Sequence, residues 1–293
     1  MGNKLLQTWK ILRDAGKLFV KNDPLRMAGA TAFFTMFALP PILIILVQVF
    51  SIFIDPQTVR QEVFSGLSEV FGKEAVRQIM TVIKGFKKLN YNWAATIVGF
   101  IFLTFVATTL FKVIKSSINQ LWNMPPRVNK KVLTTVGSRL QSLAVIFMSG
   151  LLFSVAVFIE AVQVFIGKYF FKLLPSVSPF FNSFLGFVLS TLIIAVWLLF
   201  IFRYLSHARP AWRIAWAGAL FTSLLFSLGK IVLHFLLSYN NINSIYGASA
   251  SVVLLLLFLF YSSMILYYGA AFTKAWAAHK KDNITDRLPH GET

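Results

Sequence analysis

Long apolar runs separated by short polar segments dominate the chain. The runs are continuous and lack the apolar–polar alternation of a β-barrel, so they favour helices. A helix needs roughly 20 mostly apolar residues to cross a bilayer. We predict an all-α membrane protein, with a single six-helix transmembrane domain over residues 1–278 and a polar tail over 279–293. The six spans are expected near 27–54, 92–116, 140–167, 179–203, 212–237 and 247–275.

Residues 1–22 predict an amphipathic helix ahead of the first span. Leu5, Trp9, Leu12 and Phe19 fall on one face and the lysines occupy the rest, a pattern typical of an interfacial helix on an anionic membrane surface. A plain positively charged anchor for the first span explains the same residues. The Asp-Pro pair that follows predicts a helix N-cap and the first residue of the next helix.

Residues 57–88 predict an amphipathic helical hairpin on the outer side of the membrane. Each half carries apolar residues at helical spacing, and Gly72 is the expected break between them. The hairpin is too short to fold as an independent domain, so we expect it to cap the outer side of the bundle. The two apolar stripes are Val59, Val63, Leu67 and Val70, then Val76, Ile79, Ile83 and Phe86.

Composition excludes most soluble classes of protein. Of the 293 residues, 57% are hydrophobic and 13% are charged, against about 25% charged residues in a soluble domain. Lys and Arg total 28 and Asp and Glu total 10, which gives a net charge of +18. The basic residues flank the apolar runs, which indicates membrane lipids rather than nucleic acid as partners. Because the chain has no cysteine, disulfides, thiolate nucleophiles and cysteine metal sites are excluded.

The distribution of basic residues predicts the orientation. With the N-terminus in the cytoplasm, the cytoplasmic segments hold more than twice as many Lys and Arg residues as the outward segments. The positive-inside rule therefore places both termini in the cytoplasm.

Several segments resemble the YihY/BrkB family of bacterial inner-membrane proteins. The first span, "DPLRMAGATAFFTMFALPPILIIL", has the family's acidic residue, alanine-rich stretch, aromatic residues and proline break, although Pro41 doubles the expected proline. "LWNMPP", "FRYLSHARPAWRIAWAGALFTSLLF" and "SYNNINSIYGASASVVLLLLFLFYSSMILYYGAAF" are similar to further family segments. The resemblance covers roughly residues 20–278. It implies an inner-membrane protein, and the family has been labelled both as ribonuclease BN and as a factor in virulence, serum resistance and envelope lipid traffic. The positions that match the opening signature are Asp23, Ala28, Ala30, Ala32, Phe33, Phe34, Leu39 and Pro40.

The residues give no support to the nuclease label. A metal-dependent nuclease needs clustered His and acidic ligands, whereas His207, His234, His279 and His290 are widely separated. Phosphate-binding glycine loops and nucleophile elbows are also absent from the sequence. We therefore expect no catalytic residues, no metal, no cofactor and no ATP-driven activity.

Three ionisable residues inside predicted spans are the strongest functional candidates. Glu160 in the third span and Lys230 in the fifth lie at similar depth in the outer half, and His234 shares a helix face with Lys230. A Glu160–Lys230 ion pair facing the bundle interior is the expected arrangement. The alternatives are a pair that only fixes packing, and a Lys230 side chain that snorkels to the outer interface.

An uncharged polar turn connects the fifth and sixth spans. We predict that it forms a polar lip at the outer mouth of a cavity, above Lys230 and His234. A capped helical turn, with Asn243 or Ser244 as the N-cap, explains the same residues. Pro40 and Pro41 are expected to kink the first span and open a groove between helices. The residues of the turn that we assign to the site are Asn240, Asn241, Asn243, Ser244, Tyr246 and Gly247, the glycine permitting a tight turn.

The expected function is therefore not enzymatic. The residues favour a transporter or binder of a lipid or another amphipathic anion, acting through a polar cavity open to the outer side. Membrane lipids are the expected partners, with other copies of the chain or other envelope proteins as further candidates. The alternative is a structural membrane scaffold without transport.

The topology is testable because the chain has no cysteine of its own. Cysteines introduced as Ser65→Cys and Ile242→Cys should react with an impermeant maleimide on intact cells. Val128→Cys should react only after the cells are permeabilised. Labelling of position 128 on intact cells would contradict the orientation.

Overall fold

The computed structural model describes residues 2–50, 93–124, 178–206, 208, 210–239 and 250–280, with isolated helical positions between 57 and 84. Long helices dominate these residues, and no strand occurs among them. The prediction of an all-α protein is confirmed for this part of the chain. The helices are α1 (Gly2–Lys21), α2 (Pro24–Phe50), α3 (Trp93–Leu121), α4 (Ser178–Phe200), α5 (Trp212–Tyr239) and α6 (Ala250–His279).

Three helices in the described part are long and apolar enough to cross a membrane: Phe184–Leu205, Trp212–Val232 and Val252–His279. They coincide with the fourth, fifth and sixth predicted spans. The third predicted span, 140–167, lies outside the described residues. The count of six spans therefore stays a prediction, as does the single domain over 1–278.

The junction between α1 and α2 contains Asn22 and the Asp23-Pro24 pair. The side-chain amide of Asn22 donates to the carbonyl of Leu18 at 2.8 Å and caps the end of α1. Asp23 has a φ of 51°, a left-handed conformation that Asp tolerates better than most residues. Its carbonyl accepts the first bond of α2 from Met27 N at 3.2 Å. As predicted, α2 begins at Pro24.

Only parts of the predicted outward hairpin lie within the described residues. Val76 and Ile79 are buried, whereas Arg77 and Lys84 are exposed. That distribution follows the second predicted stripe. The break at Gly72 lies outside the described residues.

The chain divides into two compact units. Unit 1 comprises Met1–Asn22, Ile118–Leu228 and Leu266–Thr293. Unit 2 comprises Asp23–Ser117 and Gly229–Ile265.

A close crossing of α5 and α6 forms the centre of unit 1. A methyl group built on Gly218 of α5 would overlap the side chain of Thr273 of α6, and one built on Gly269 of α6 would overlap Thr222 of α5. Each threonine hydroxyl donates to a carbonyl of its own helix, at 2.6 Å from Thr222 to Gly218 and at 2.8 Å from Thr273 to Gly269. The contact is therefore reciprocal, with two glycines facing two threonines whose hydroxyls are satisfied.

The reciprocity has its origin in a repeated sequence. The five residues Gly-Ala-Leu-Phe-Thr at 218–222 return as Gly-Ala-Ala-Phe-Thr at 269–273. The phenylalanines of the two copies, Phe221 and Phe272, stack with ring centroids 3.9 Å apart. Small residues that let helix backbones approach closely are the usual basis of helix association in membranes.

α1 packs onto this crossing within unit 1. Ile11, Ala15 and Phe272 form a buried cluster, and the Tyr268 hydroxyl donates to the carbonyl of Leu12 at 3.4 Å. Trp9, by contrast, is exposed. The expectation of one apolar face on α1 was therefore too simple, because protein covers Leu12 and its neighbours but not Trp9.

Substitutions at the two crossing glycines test the packing. Gly218→Ala or Gly269→Ala should lower the free energy of unfolding by about 1–3 kcal/mol, because the added methyl group forces the helices apart. Adding Thr273→Ala to Gly218→Ala should recover part of that loss. The measurement is reversible unfolding of the purified protein in detergent or bicelles.

The matched controls are Gly16→Ala in α1 and Gly29→Ala in α2. A methyl group at either position meets no atom within 4 Å, so helix propensity alone predicts equal or higher stability. Equal losses at all four glycines would contradict a specific crossing.

Candidate functional site

Lys230 of α5 is partly buried, at the border between the buried and the exposed side of the helix. Along this helix, Ser223, Ser227 and Lys230 follow at spacings of four and three, which places them on one arc. Both serines are buried, whereas Leu228 and Ile231 are 55% and 58% exposed. The lysine therefore lies close to the arc of the serines and away from Leu228 and Ile231.

The exposed arc of α5 is typical of a lipid-facing surface. It consists of large apolar side chains at four-residue intervals, and two tryptophans stand at its beginning, as is common at a membrane interface. Such a continuous apolar surface fits lipid better than water. The residues are Trp212, Trp216, Leu220, Leu224 and Leu228.

A buried hydroxyl pair joins α4 to α5 in unit 1. The side-chain oxygens of Thr191 and Ser227 lie 2.9 Å apart. Ser223, one turn earlier, donates to the carbonyl of Leu220 at 3.0 Å. These hydroxyls thus satisfy one another or the backbone, which an apolar surrounding requires.

In unit 2, α5 and α6 approach closely beside Lys230. A Cβ built on Gly229 would lie 2.7 Å from the Tyr261 hydroxyl and 2.9 Å from Ile265. Next to this tyrosine, the buried Ser262 hydroxyl has no hydrogen-bond partner within the described structure. A lysine, a tyrosine hydroxyl and an unsatisfied serine hydroxyl therefore occur on neighbouring turns of these two helices.

Most of the other predicted site residues lie outside the described residues. These include Glu160 and the whole polar turn, and the side chain of His234 on α5 is likewise outside. α2 continues through Pro40 and Pro41 to Phe50, and the kink there stays a prediction. The turn residues concerned are Asn240, Asn241, Asn243, Ser244, Tyr246 and Gly247.

A basic and aromatic cluster connects α4 to α5 in unit 1. α4 continues into a π-helical turn, Ile201–Leu205, a feature often found at functional positions. The Arg203 guanidinium lies 4.3 Å from the centroid of the Trp212 ring and donates to the carbonyl of Pro210. This cation–π contact closes the short connection between the two helices. The sequence analysis did not single out Arg203. The pattern that could have indicated this contact is an arginine before and a tryptophan after the short Ala-Arg-Pro connection.

Trp122 connects the end of α3 to α6 within unit 1 through a hydrogen bond. It is fully buried, and its indole N–H donates to the carbonyl of Ala270 at 2.8 Å. α3 ends just before it, since Asn123 has a φ of 56° and Met124 N donates to the carbonyl of Asn119 at 2.9 Å. The residues between Leu121 and Met124 thus serve the packing of unit 1.

No group of three His, Asp or Glu side chains gathers at metal-binding distance in the part of the chain that the structure describes.

Apolar helices with a lipid-facing arc and internally satisfied hydroxyls define an integral membrane protein of the helical class. A sequence model of the family described as "Virulence factor BrkB" matches residues 17–291. The chain belongs to this family, as its resemblance to YihY/BrkB proteins predicted.

The chain is also similar to membrane proteins of the UPF0761 group. One from Mannheimia succiniciproducens is 27% identical over 87% of this chain and 85% of its own length. One from Pseudoalteromonas translucida is 27% identical over 88% and 82%, respectively. A longer relative from Pseudomonas paraeruginosa is 25% identical over 86% of this chain but 59% of its own length. No solved structure matches the chain.

The hydroxyl pair between α4 and α5 is testable by a double-mutant cycle. Thr191→Val and Ser227→Ala should each cost about 1 kcal/mol of unfolding free energy, because each leaves the other hydroxyl buried without its partner. The double variant should lose less than the sum of the two. Ser190→Ala is the control, since that hydroxyl donates to Phe187 of its own helix. Additive losses for Thr191 and Ser227 would show that the pair does not couple the helices.

Proposed function

We propose that the protein binds and moves a lipid or another amphipathic anion across the bacterial inner membrane, without ATP hydrolysis and without enzymatic activity. The observation that carries the proposal is the position of Lys230. A lysine is costly inside a membrane span and is retained there mainly for function. Lys230 is partly buried and lies within about 60° of the buried Ser223 and Ser227 around the helix, which argues against a side chain that only anchors α5 in lipid.

The mechanism follows from exchange of partners at Lys230. In the empty state Glu160 neutralises the lysine, and an arriving anionic headgroup takes the place of Glu160. His234, one turn further along α5, adds positive charge at lower pH. The turn formed by residues 240–247 supplies uncharged polar groups at the outer mouth, and the prolines of α2 open the groove. Tyr261 and Ser262 add hydroxyl donors from α6, where Tyr261 faces Gly229 of α5.

The proposed topology places both termini in the cytoplasm. Within unit 1, α1 packs on the C-terminal turns of α6, through Phe19 against Tyr268 and through the cluster around Phe272. Contact between the first helix and the end of the last one supports an even number of spans. Lipids are the proposed partners, and copies of the chain or other envelope proteins remain candidates.

A membrane scaffold without transport is the competing proposal. The close crossing at Gly218 and Gly269 favours it, because α5 and α6 leave no room for a ligand at that level. The two proposals differ in what they expect of Lys230. A scaffold needs it only for packing, whereas a carrier needs its charge.

Transfer of a fluorescent phosphatidylglycerol in proteoliposomes distinguishes the two. The full-length protein should accelerate transfer between leaflets over protein-free vesicles, and Lys230→Gln should reduce that acceleration at least about tenfold, the effect of losing one charge-assisted hydrogen bond. Lys112→Gln, at an exposed position on α3, is the matched control and should transfer like the original protein.

Two results would contradict the proposal of lipid transfer through Lys230. Unchanged transfer by Lys230→Gln would exclude the lysine as the binding group. If the unaltered protein, shown to be folded by its thermal transition, transfers no faster than empty vesicles, the scaffold is the better proposal.

A further inference from the structure

α1 presents three chemically different faces. The first is covered by protein, because Ile11 and Ala15 pack against Phe272 of α6, with Phe221 and Trp276 beside them. This contact holds α1 firmly along unit 1. The outward faces are therefore presented in a fixed orientation rather than on a loose tail.

The second face is apolar and uncovered. Leu6, Trp9 and Val20 are 68%, 69% and 71% exposed. At about 100° per residue, these three side chains fall within an arc of about 60°. Exposed apolar side chains of this size on one arc of a docked helix indicate a contact outside the chain.

The third face is basic and adjoins the second. Lys10, Arg13, Lys17 and Lys21 are all exposed and occupy an arc of about 80° that overlaps the edge of the apolar arc at Arg13. Asp14 borders this arc and is the acidic residue of the described part of α1. The order around the helix is thus covered, apolar, basic and then acidic.

The contact with α6 gives the level of α1 in the membrane. Tyr268, Phe272 and Trp276 belong to the last turns of the span Val252–His279. The end of a span is where hydrocarbon gives way to lipid headgroups. A helix fixed there, with an apolar arc beside a basic arc, has the composition of a helix that lies in the interface.

We infer that the outer surface of α1 binds the anionic phospholipids of the adjacent leaflet, with Leu6, Trp9 and Val20 at the acyl boundary and the basic arc on the phosphates. This inference is independent of transport. A second copy of α1 is a poor occupant, because it would bring a second basic arc into the same contact. An anionic bilayer surface supplies the complementary charge and the apolar boundary together.

The absence of cysteine in the chain makes a depth measurement direct. Trp9→Cys and Val20→Cys, each labelled with an environment-sensitive fluorophore, are reconstituted as full-length protein in vesicles. These vesicles contain phosphatidylethanolamine and phosphatidylglycerol, one of the two brominated high on its acyl chains. Asp14→Cys is the matched control on the far side of the same turns. We expect strong quenching at positions 9 and 20 and weak quenching at position 14.

The headgroup preference is measured in the same samples. Brominated phosphatidylglycerol should quench the fluorophore at position 9 more than the same fraction of brominated phosphatidylethanolamine. Lys10→Gln, Arg13→Gln and Lys17→Gln together should remove that preference, with a decrease of up to about fivefold for each charge at low salt.

Two outcomes would overturn the inference. A fluorophore at position 9 that emits as in an apolar site but is quenched by neither lipid would mean that protein covers the surface, either a second copy or another partner. Equal quenching by both lipids, unchanged by the three substitutions, would mean that the basic arc does not recognise anionic headgroups. Both readings are independent of lipid transfer, so they separate this inference from the proposed function.

Discussion

The reciprocal crossing of α5 and α6 is the contact on which the rest of unit 1 depends. Because Gly218 and Gly269 carry no side chain, the two backbones approach until each meets the threonine of the other helix. That approach stacks Phe221 on Phe272, and this aromatic pair is part of the surface that receives α1. The Trp122 indole reaches the carbonyl of Ala270, inside the same repeat. The packing of α1 and of the end of α3 thus depends on two glycines.

The crossing also explains how polar groups are accommodated in apolar helices. Each threonine hydroxyl donates to its own helix, and its oxygen is also the atom that lies nearest to the opposite glycine. The side-chain hydroxyls of Thr191 and Ser227 are accommodated in a similar way, because they form a hydrogen bond with each other between α4 and α5. Lys230 differs from these hydroxyl groups, because a backbone carbonyl can accept a hydrogen bond from an ammonium group but cannot neutralise its charge. A charged lysine inside a membrane span is stabilised by an anionic partner, either a side chain or a ligand.

The sequence predicts the elements better than their contacts. The start of α2 at Pro24 and the spans on α4, α5 and α6 follow from capping chemistry and from run length, which are local signals. The glycine crossing depends on two segments 51 residues apart, at 218 and 269. The repeated five-residue motif is the sequence feature from which this crossing could have been predicted. The split of α1 into covered and uncovered apolar faces was also missed, since lipid and protein select equally apolar side chains. Of the ionisable residues that the sequence analysis assigned to the site, Lys230 is the one whose surroundings are described.

Residue size separates the lipid-facing side from the protein-facing side where hydrophobicity does not. In α2, Ala28, Ala32 and Ala38 are buried while Phe33 and Phe37 are exposed. α5 follows the same rule, with small residues inside and Trp and Leu outside.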